Sequence, residues 1–305
     1  MRELRKRKSL DKEQRRKDDI EEFKRIASRA ERICVFSGSG LSAAAGLSTF
    51  TSRGGLYERA TKRFKVKDGM KLFCNSFYRR KPKECRAIMS DIYFEALKAE
   101  PTSSHRALAR LEVEERLVRH YTMNVDGLHR FVEGATTWTG EKGCAGKTVE
   151  LHGSCRETLC TNFSCGGSRV SQMTLEQGHA FRKGKEVLCT ECSGEIRPKV
   201  MLYDDGDSEF ITPDVVMEVM DEDIAKSDLI LWIGISFQQS ASLEYFRNAQ
   251  RVLKESCGGR AGEVTQAIIN PDPDSWFNCV SGASGLDDMK IISVVSDSNT
   301  VLAGI

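Results

Sequence analysis

The sequence predicts an α/β fold, an open doubly wound parallel sheet, as one large domain or a large domain with a smaller attachment, on three observations. A short apolar run, Ile33-Cys34-Val35-Phe36, meets a glycine turn and then small residues through Gly46. Later apolar runs, in 229–236, 267–270 and 291–295, end in small polar residues and are separated by helical patterns, which is the grammar of parallel strands with ligand-facing tips. Two cysteine pairs, Cys160-x4-Cys165 and Cys189-x2-Cys192, mark a separate unit in the middle of the chain.

At the first strand, Gly38, Gly40 and Ala43 fit the G-x-G-x-x-G/A spacing of a phosphate-binding turn. Gly38 is expected at positive φ, Gly40 where a pyrophosphate approaches the backbone, and the following helix with its unpaired N–H groups toward the anion. The same spacing arises in ordinary glycine-rich strand-to-helix turns, and one check fails. The acid expected about 20 residues on, at the end of a second strand, would be Glu58, which falls in Gly54-Gly55-Leu56-Tyr57-Glu58-Arg59, a loop pattern.

Forty per cent apolar residues in a 305-residue chain suffice for a sizeable core. No apolar run approaches the length that spans a bilayer, so no membrane partner is expected. Eleven cysteines without a secretory signal point to a reducing, intracellular setting and a metal site rather than a disulfide framework. Nine Lys or Arg face three acids in the first 17 residues, although the net charge is only +2. That cluster, with Arg5-Lys6-Arg7-Lys8, reads as a nuclear address or as a solvated helix start, so nucleus and cytoplasm both stand, with the nucleus favoured. It establishes no direct nucleic-acid site.

In chain order, Ile20, Phe23, Ile26, Ala27 and Ala30 predict an amphipathic helix over Asp18–Arg32. Residues 56–100 read as a helical insertion, with helices at Lys71–Tyr78 and Pro82–Ala99, and Thr49–Arg63 as a loop able to close over a nucleotide. A helix follows over Ser103–Glu115, capped by Ser103 or Ser104. The strand Leu117–Asn124 delivers Asn124 and Asp126 to its carboxyl end, where they suit ribose hydroxyls or a carboxamide, or form an ordinary turn. The run Thr148–Leu151 delivers His152, the best placed of five histidines for catalysis. His105 and His120 lie beside helix or strand signals, His129 is a structural partner, and His179 is remote from any strand end. The two cysteine pairs make a tetrahedral four-thiolate zinc site, structural because no coordination position stays open. Cys155 and Cys160 share the x4 spacing, which leaves the first ligand ambiguous. Gly166, Gly167 and Gly194 permit tight knuckle turns. Nine acids without Lys or Arg separate Lys199 from Lys226, either a surface that steers a basic peptide or a solvated face.

In motif order the chain resembles the sirtuins, the NAD-dependent protein lysine deacylases. Ser37-Gly38-Ser39-Gly40-Leu41-Ser42 is similar to their T-G-A-G-I-S, Thr122-Met123-Asn124-Val125-Asp126-Gly127-Leu128-His129 to T-Q-N-I-D-G-L-H, and Leu151-His152-Gly153 to L-H-G. The cysteine pairs, Arg197-Pro198, Gly234-x-Ser236 and Ile269-Asn270 follow in family order. The resemblance implies a Rossmann-like NAD domain (31–56, 101–151, 196–305), a small domain made of the helical insertion (57–100) and a zinc module (152–195), and a basic helical extension (1–30). It implies that His152 is the base, Asn124 holds the ribose and Asp126 the carboxamide, and all three are catalytic. Gly38, Ser39, Gly40, Ser42, Phe50, Gly234, Ser236, Asn270 and Ser298 would line NAD. Cys160, Cys165, Cys189 and Cys192 would bind zinc, the family pattern setting Cys155 aside. The partner implied is an acyl-lysine protein, histone tails among the candidates.

Three departures bear on activity. Thr49 and Thr51 replace the Asp and Arg of G-I-P-D-F-R, Met123 replaces Gln, and Tyr203-Asp204-Asp205 replaces F-G-E. Threonine cannot reproduce the bidentate charge-assisted bonds of arginine. The alternatives are therefore a mono-ADP-ribosyltransferase, an NAD glycohydrolase, or a degenerate NAD- or peptide-binding module.

Overall fold

The computed structural model describes residues 2–51, 53–204, 211–255 and 262–305, with side chains from residue 13 onward. The apolar runs form a six-stranded parallel sheet: β1 (Ile33–Ser37), β2 (Leu117–Thr122), β3 (Thr148–Glu150), β7 (Leu229–Ile233), β8 (Thr265–Ile269) and β9 (Lys290–Val294). Their order is β3-β2-β1-β7-β8-β9, so the winding reverses between β1 and β7, the switch point at which open α/β sheets bind ligands.

Every residue of β1 and β7 is buried, because helices cover both faces. Alternation sends Cys34, Phe36, Ile230 and Trp232 to one face, where they meet α7 (Val215–Lys226), α8 (Ser240–Glu255) and α9 (Asp274–Ser281). Phe36 stacks on Trp232 with ring centroids 4.3 Å apart and on Tyr121 at 5.2 Å. Ile33, Val35, Leu229 and Leu231 take the other face, under α1 (Arg2–Ala27), α5 (Ser103–Val113) and α10 (Ser298–Leu302).

A three-stranded antiparallel sheet, order β5-β4-β6, joins β4 (Gly153–Cys160), β5 (Val170–Gln172) and β6 (Ile196–Val200). It shares one core with α2 (Leu56–Phe64), α3 (Asn75–Tyr78), α4 (Pro82–Lys98) and α6 (Leu175–Arg182), through Leu72, Ile88, Tyr93, Phe181 and Ile196. Arg86 bonds Glu195 across the two segments, and Tyr78 Oη donates to the same carboxylate at 2.7 Å.

Several local expectations change. The helix expected from Asp18 begins at Arg2, and among the described side chains residues 13–19 are solvent-exposed and burial begins at Ile20. The helix expected over 71–78 splits into a 3-10 turn, Gly69–Phe73, and α3. Thr102, not Ser103 or Ser104, caps α5, with His105 completing the capping box. The two serines instead bond Asn299 and Ser298. The apolar run from Leu229 leaves strand geometry at Ile233, because Gly234 turns the chain at φ 63°.

Candidate active site and metal centre

The ends of β1 and β7 meet backbone to backbone. Gly38 N–H donates to the Ile233 carbonyl at 2.9 Å and Gly40 N–H to the Gly234 carbonyl at 3.0 Å. A Cβ on Gly40 would stand 2.5 Å from Gly234 Cα, and one on Gly38 would stand 2.8 Å from Gly234 O. These glycines are needed for close approach of two chain segments. The positive φ expected at Gly38 is absent, since its φ is −121°; Gly234 carries it instead. The expected helix is absent too. Two 3-10 turns, Ser39–Leu41 and Ala43–Ala45, follow, and the N–H groups of Leu41 and Ser42 are spent on the Gly38 and Ser39 carbonyls.

Over this crossing opens a cavity of about 430 Å³. It gathers Gly38, Ser39, Phe50, Asn124, His152, Gly234 and Ser236 from the expected residues, with Thr51 and Met123 at two of the departures. A recess of about 30 Å³ adds Ser42 and Asp126 beside Ser39, Phe50 and Asn124. Gly40, Asn270 and Ser298 line neither. Asn270 instead shapes a turn, its Nδ2 donating to the Ile235 carbonyl and its Oδ1 accepting from Asp272 N–H. Ser298 Oγ accepts from Ser104.

The recess is organised by hydrogen bonds. Ser42 Oγ donates to Asp126 Oδ2 at 2.7 Å and accepts from Asn124 Nδ2 at 3.2 Å, while Leu128 N–H fixes Asp126 Oδ1 at 2.9 Å. His105 Nε2 lies 3.5 Å from Ser42 Oγ, and its Nδ1 meets Thr102. Burial pulls the His105 pKa down to about 4. Sequence reasoning passed His105 over because its signal, a histidine three residues after the capping threonine, is that of a helix start.

His152 follows β3 with one edge toward the large cavity, held where its carbonyl accepts from Met201 N–H at 3.0 Å. Burial pulls its pKa down to about 4, opposed by a hydrogen bond to the Met123 backbone. The imidazole is therefore neutral near pH 7 and able to take a proton from a hydroxyl in the cavity. His120 is core structure, 2.7 Å from Ser37 Oγ, and His129 bonds Thr137 Oγ1 at 3.2 Å. His179 lies against Phe94 in the smaller unit.

Cys160, Cys165, Cys189 and Cys192 converge, their sulfurs all within 4.8 Å of one another. The Cys160–Cys192 and Cys165–Cys189 separations are 3.5 and 3.9 Å. A tetrahedron with zinc–sulfur bonds of about 2.3 Å has edges of about 3.8 Å, so the thiolates fit zinc. Cys155 is packed in the core and is outside the cluster. The strained knuckle position is Ser193, at φ 56°, rather than Gly166, Gly167 or Gly194. Gly194 is needed for space, as a Cβ there would stand 2.8 Å from Asn162 Cβ.

The acidic stretch is partly spent. Asp223 is buried against Arg119 and Tyr121 Oη, Asp221 pairs with Arg251, and Glu218 and Glu222 pair with Lys142. Asp205, Asp207 and Glu209 lie outside the described residues. Asp204 adopts φ 57° and accepts from Asn75 N–H at 2.7 Å.

Comparison with known proteins agrees with this arrangement. An NAD-dependent protein deacetylase hst4 of Emericella nidulans is 25% identical over 268 residues, 80% of this chain and 42% of that protein. This chain thus spans less than half the length of the fungal relative. NAD-dependent protein deacylase 2 of Pseudomonas aeruginosa is 28% identical over 247 residues, 79% of this chain and 84% of the relative. An NAD-dependent protein deacetylase of Clostridium perfringens is 29% identical over 272 residues, 83% and 94% of the two chains. Among solved structures, a Sir2 complex with a deacetylated p53 peptide and 3'-O-acetyl ADP ribose superposes with a TM-score of 0.66 at 18% identity, over 93% of this chain and 96% of that one. A Sir2 homolog–NAD complex gives 0.64 at 18% identity, over 92% and 90%. The Sir2 family model matches residues 38–240, from the glycine turn through the metal centre to the start of α8, and the chain belongs to the Sir2 family, the sirtuins.

Proposed function

We propose that the protein is an NAD-dependent protein lysine deacylase, moving an acyl group from lysine to ADP-ribose with release of nicotinamide. The observation that carries this reading is that His152, neutral through burial, shares the large cavity with the glycine crossing and with Asn124, which also lines the adjoining recess where it bonds Ser42 and, through it, Asp126. NAD, as co-substrate, would supply the ADP-ribose that accepts the acyl group. Gly38, Ser39, Phe50, Gly234 and Ser236 would surround it on the cavity wall. Asn124 and Ser42 would orient ribose hydroxyls, Asp126 would accept from the carboxamide, and His152 would take the ribose hydroxyl proton. Gly40 would act through its packing on Gly234, and Asn270 through the turn it shapes beside Ile235. The four cysteines would hold zinc structurally.

We read 31–56, 101–151 and 196–305 as the NAD domain, and 57–100 with 152–195 as the small domain. Acetyl-lysine in histone tails is the substrate to try first, and the basic N-terminal cluster supports nuclear residence, which deletion of residues 1–17 tests by changing the distribution in cells. The second reading, ADP-ribosyl transfer or NAD hydrolysis, is favoured by Thr51 and Met123 on the cavity wall, where the resemblance has Arg and Gln.

Nicotinamide release from NAD, with and without an acetyl-lysine peptide, in wild type and His152→Ala, decides between them. Release that needs both peptide and His152 supports the deacylase. Peptide-independent release moves the protein to the second reading, and no release from the zinc-loaded protein across several acyl peptides leaves a binding module.

A further inference from the structure

The loop after the glycine turn is held from outside itself. Leu56 N–H donates to the Thr49 carbonyl at 2.8 Å and Tyr57 N–H to the Phe50 carbonyl at 3.2 Å. From α2, Arg59 Nη1 donates to Ser48 Oγ at 2.6 Å and lies 2.6 Å from Glu95 Oε1 on α4. One guanidinium therefore joins loop, α2 and α4. Ser48 and Glu95 line the small recess that Asn124 and Asp126 also line.

Two features make this contact more than a surface pair. Residues 46–51, Gly-Leu-Ser-Thr-Phe-Thr, contain no charged side chain, so none of the loop's own side chains can anchor it by an ion pair. Glu95 also brings a second carboxylate to the lining of a recess that already holds Asp126, and Arg59 gives that carboxylate a charge-assisted partner. Arginine suits the task because its planar fork presents several donors at fixed angles, so that one head group serves two acceptors.

We propose that Arg59 is a positioning residue that clamps loop 48–51 over the Asn124–Asp126 recess and so sets the affinity for NAD. The proposal rests on the reading of that recess as part of an NAD site. Arg59 touches no reacting atoms and is not itself part of the recess wall; it acts through Ser48 and Glu95, which are.

The test compares the 305-residue wild type with Arg59→Gln, Arg59→Lys and Glu95→Gln. Amide hydrogen exchange at Leu56 and Tyr57 reads the clamp directly, and the KM for NAD against kcat reads its consequence. In Arg59→Gln those two amides should exchange faster while α4 amides do not change. The KM for NAD should rise by up to about fivefold, the factor a partly exposed charge pair supports, with kcat falling less than KM rises. Arg59→Lys should restore part of both effects, and Glu95→Gln should shift both in the direction of Arg59→Gln. Wild-type exchange at Leu56 and Tyr57 in Arg59→Gln, or faster exchange with an unchanged KM, overturns the proposal; so does exchange raised equally throughout α2 and α4, which would mean a merely structural pair. If wild type releases no nicotinamide, the function proposed above fails separately, and unchanged exchange at the two amides would still overturn the clamp.

Discussion

Four of the five histidines, His105, His120, His129 and His152, are held neutral by burial, their pKa values pulled to about 4, about 3, well below the ordinary value, and about 4. Unfolded, each would titrate near 6.5. As pH falls from about 6.5 toward 4 the unfolded chain takes up protons that the native one refuses, so stability is lost across that window. For the fully enclosed His120 the loss at pH 5 is about 2 kcal/mol. Urea unfolding should therefore show a lower midpoint at pH 5 than at pH 7, and His120→Asn should flatten the dependence. A midpoint that does not move would mean that these imidazoles accept protons in the folded state. At the same scale, Gly234→Ala places a Cβ 2.5 Å from Gly40 Cα at a left-handed φ. It should cost more than about 3 kcal/mol, because backbone cannot yield as a side chain can; thermal melting of the variant checks this. The spacing of Gly38 and Gly40 was legible in the sequence, but the reason for them was not. Their contact is with Gly234, nearly 200 residues away.

At the metal centre, separate elements bring the four cysteines together. Two cysteine pairs with metal-ligand spacing are readable from sequence, because each pair folds locally around one ion. Which of Cys155 and Cys160 serves is decided by β4. Cys155 points into the apolar core with Ile88 and Phe181, and Cys160 reaches the cluster at the strand's end. Binding of zinc should be linked to folding of this unit. Metal analysis should find one zinc per wild-type chain and none in Cys192→Ser, and the substitution should loosen β4, β5 and β6. Because α4 and α6 share their core, helix signal should be lost as well; retention of full ellipticity without zinc would show that the core alone suffices. Sequence patterns located α4 and α5 well, since a helix is signalled by its own periodicity. They misjudged the cap of α5, though not its first residue, because Thr102, Ser103 and Ser104 are all competent caps, and contacts to Ser298 and Asn299 claim the two serines.

Across the whole molecule, α1 is divided between a solvated part and a packed part. Deleting residues 1–17 should leave the melting temperature within about 2 °C, whereas deleting residues 1–27 removes buried Ile20, Phe23 and Ala27 and should cost about 3 kcal/mol or more. Equal melting of all three forms would show that α1 is not part of the core. The sequence by itself determined the fold class, the order of the strands along the chain, the two cysteine pairs, and the residues at the tips of β1, β2, β3 and β7. Those features are written in short windows of periodicity and spacing. Only the tertiary structure decided that the β1 and β7 glycines are partners, that His105 stands behind Ser42, that Asn270 bonds the Ile235 carbonyl and Ser298 bonds Ser104, and that Arg59 reaches Ser48 and Glu95. These are contacts between segments far apart in the chain or on different elements, fixed by how the sheet winds in both directions from β1, and no local pattern encodes that winding.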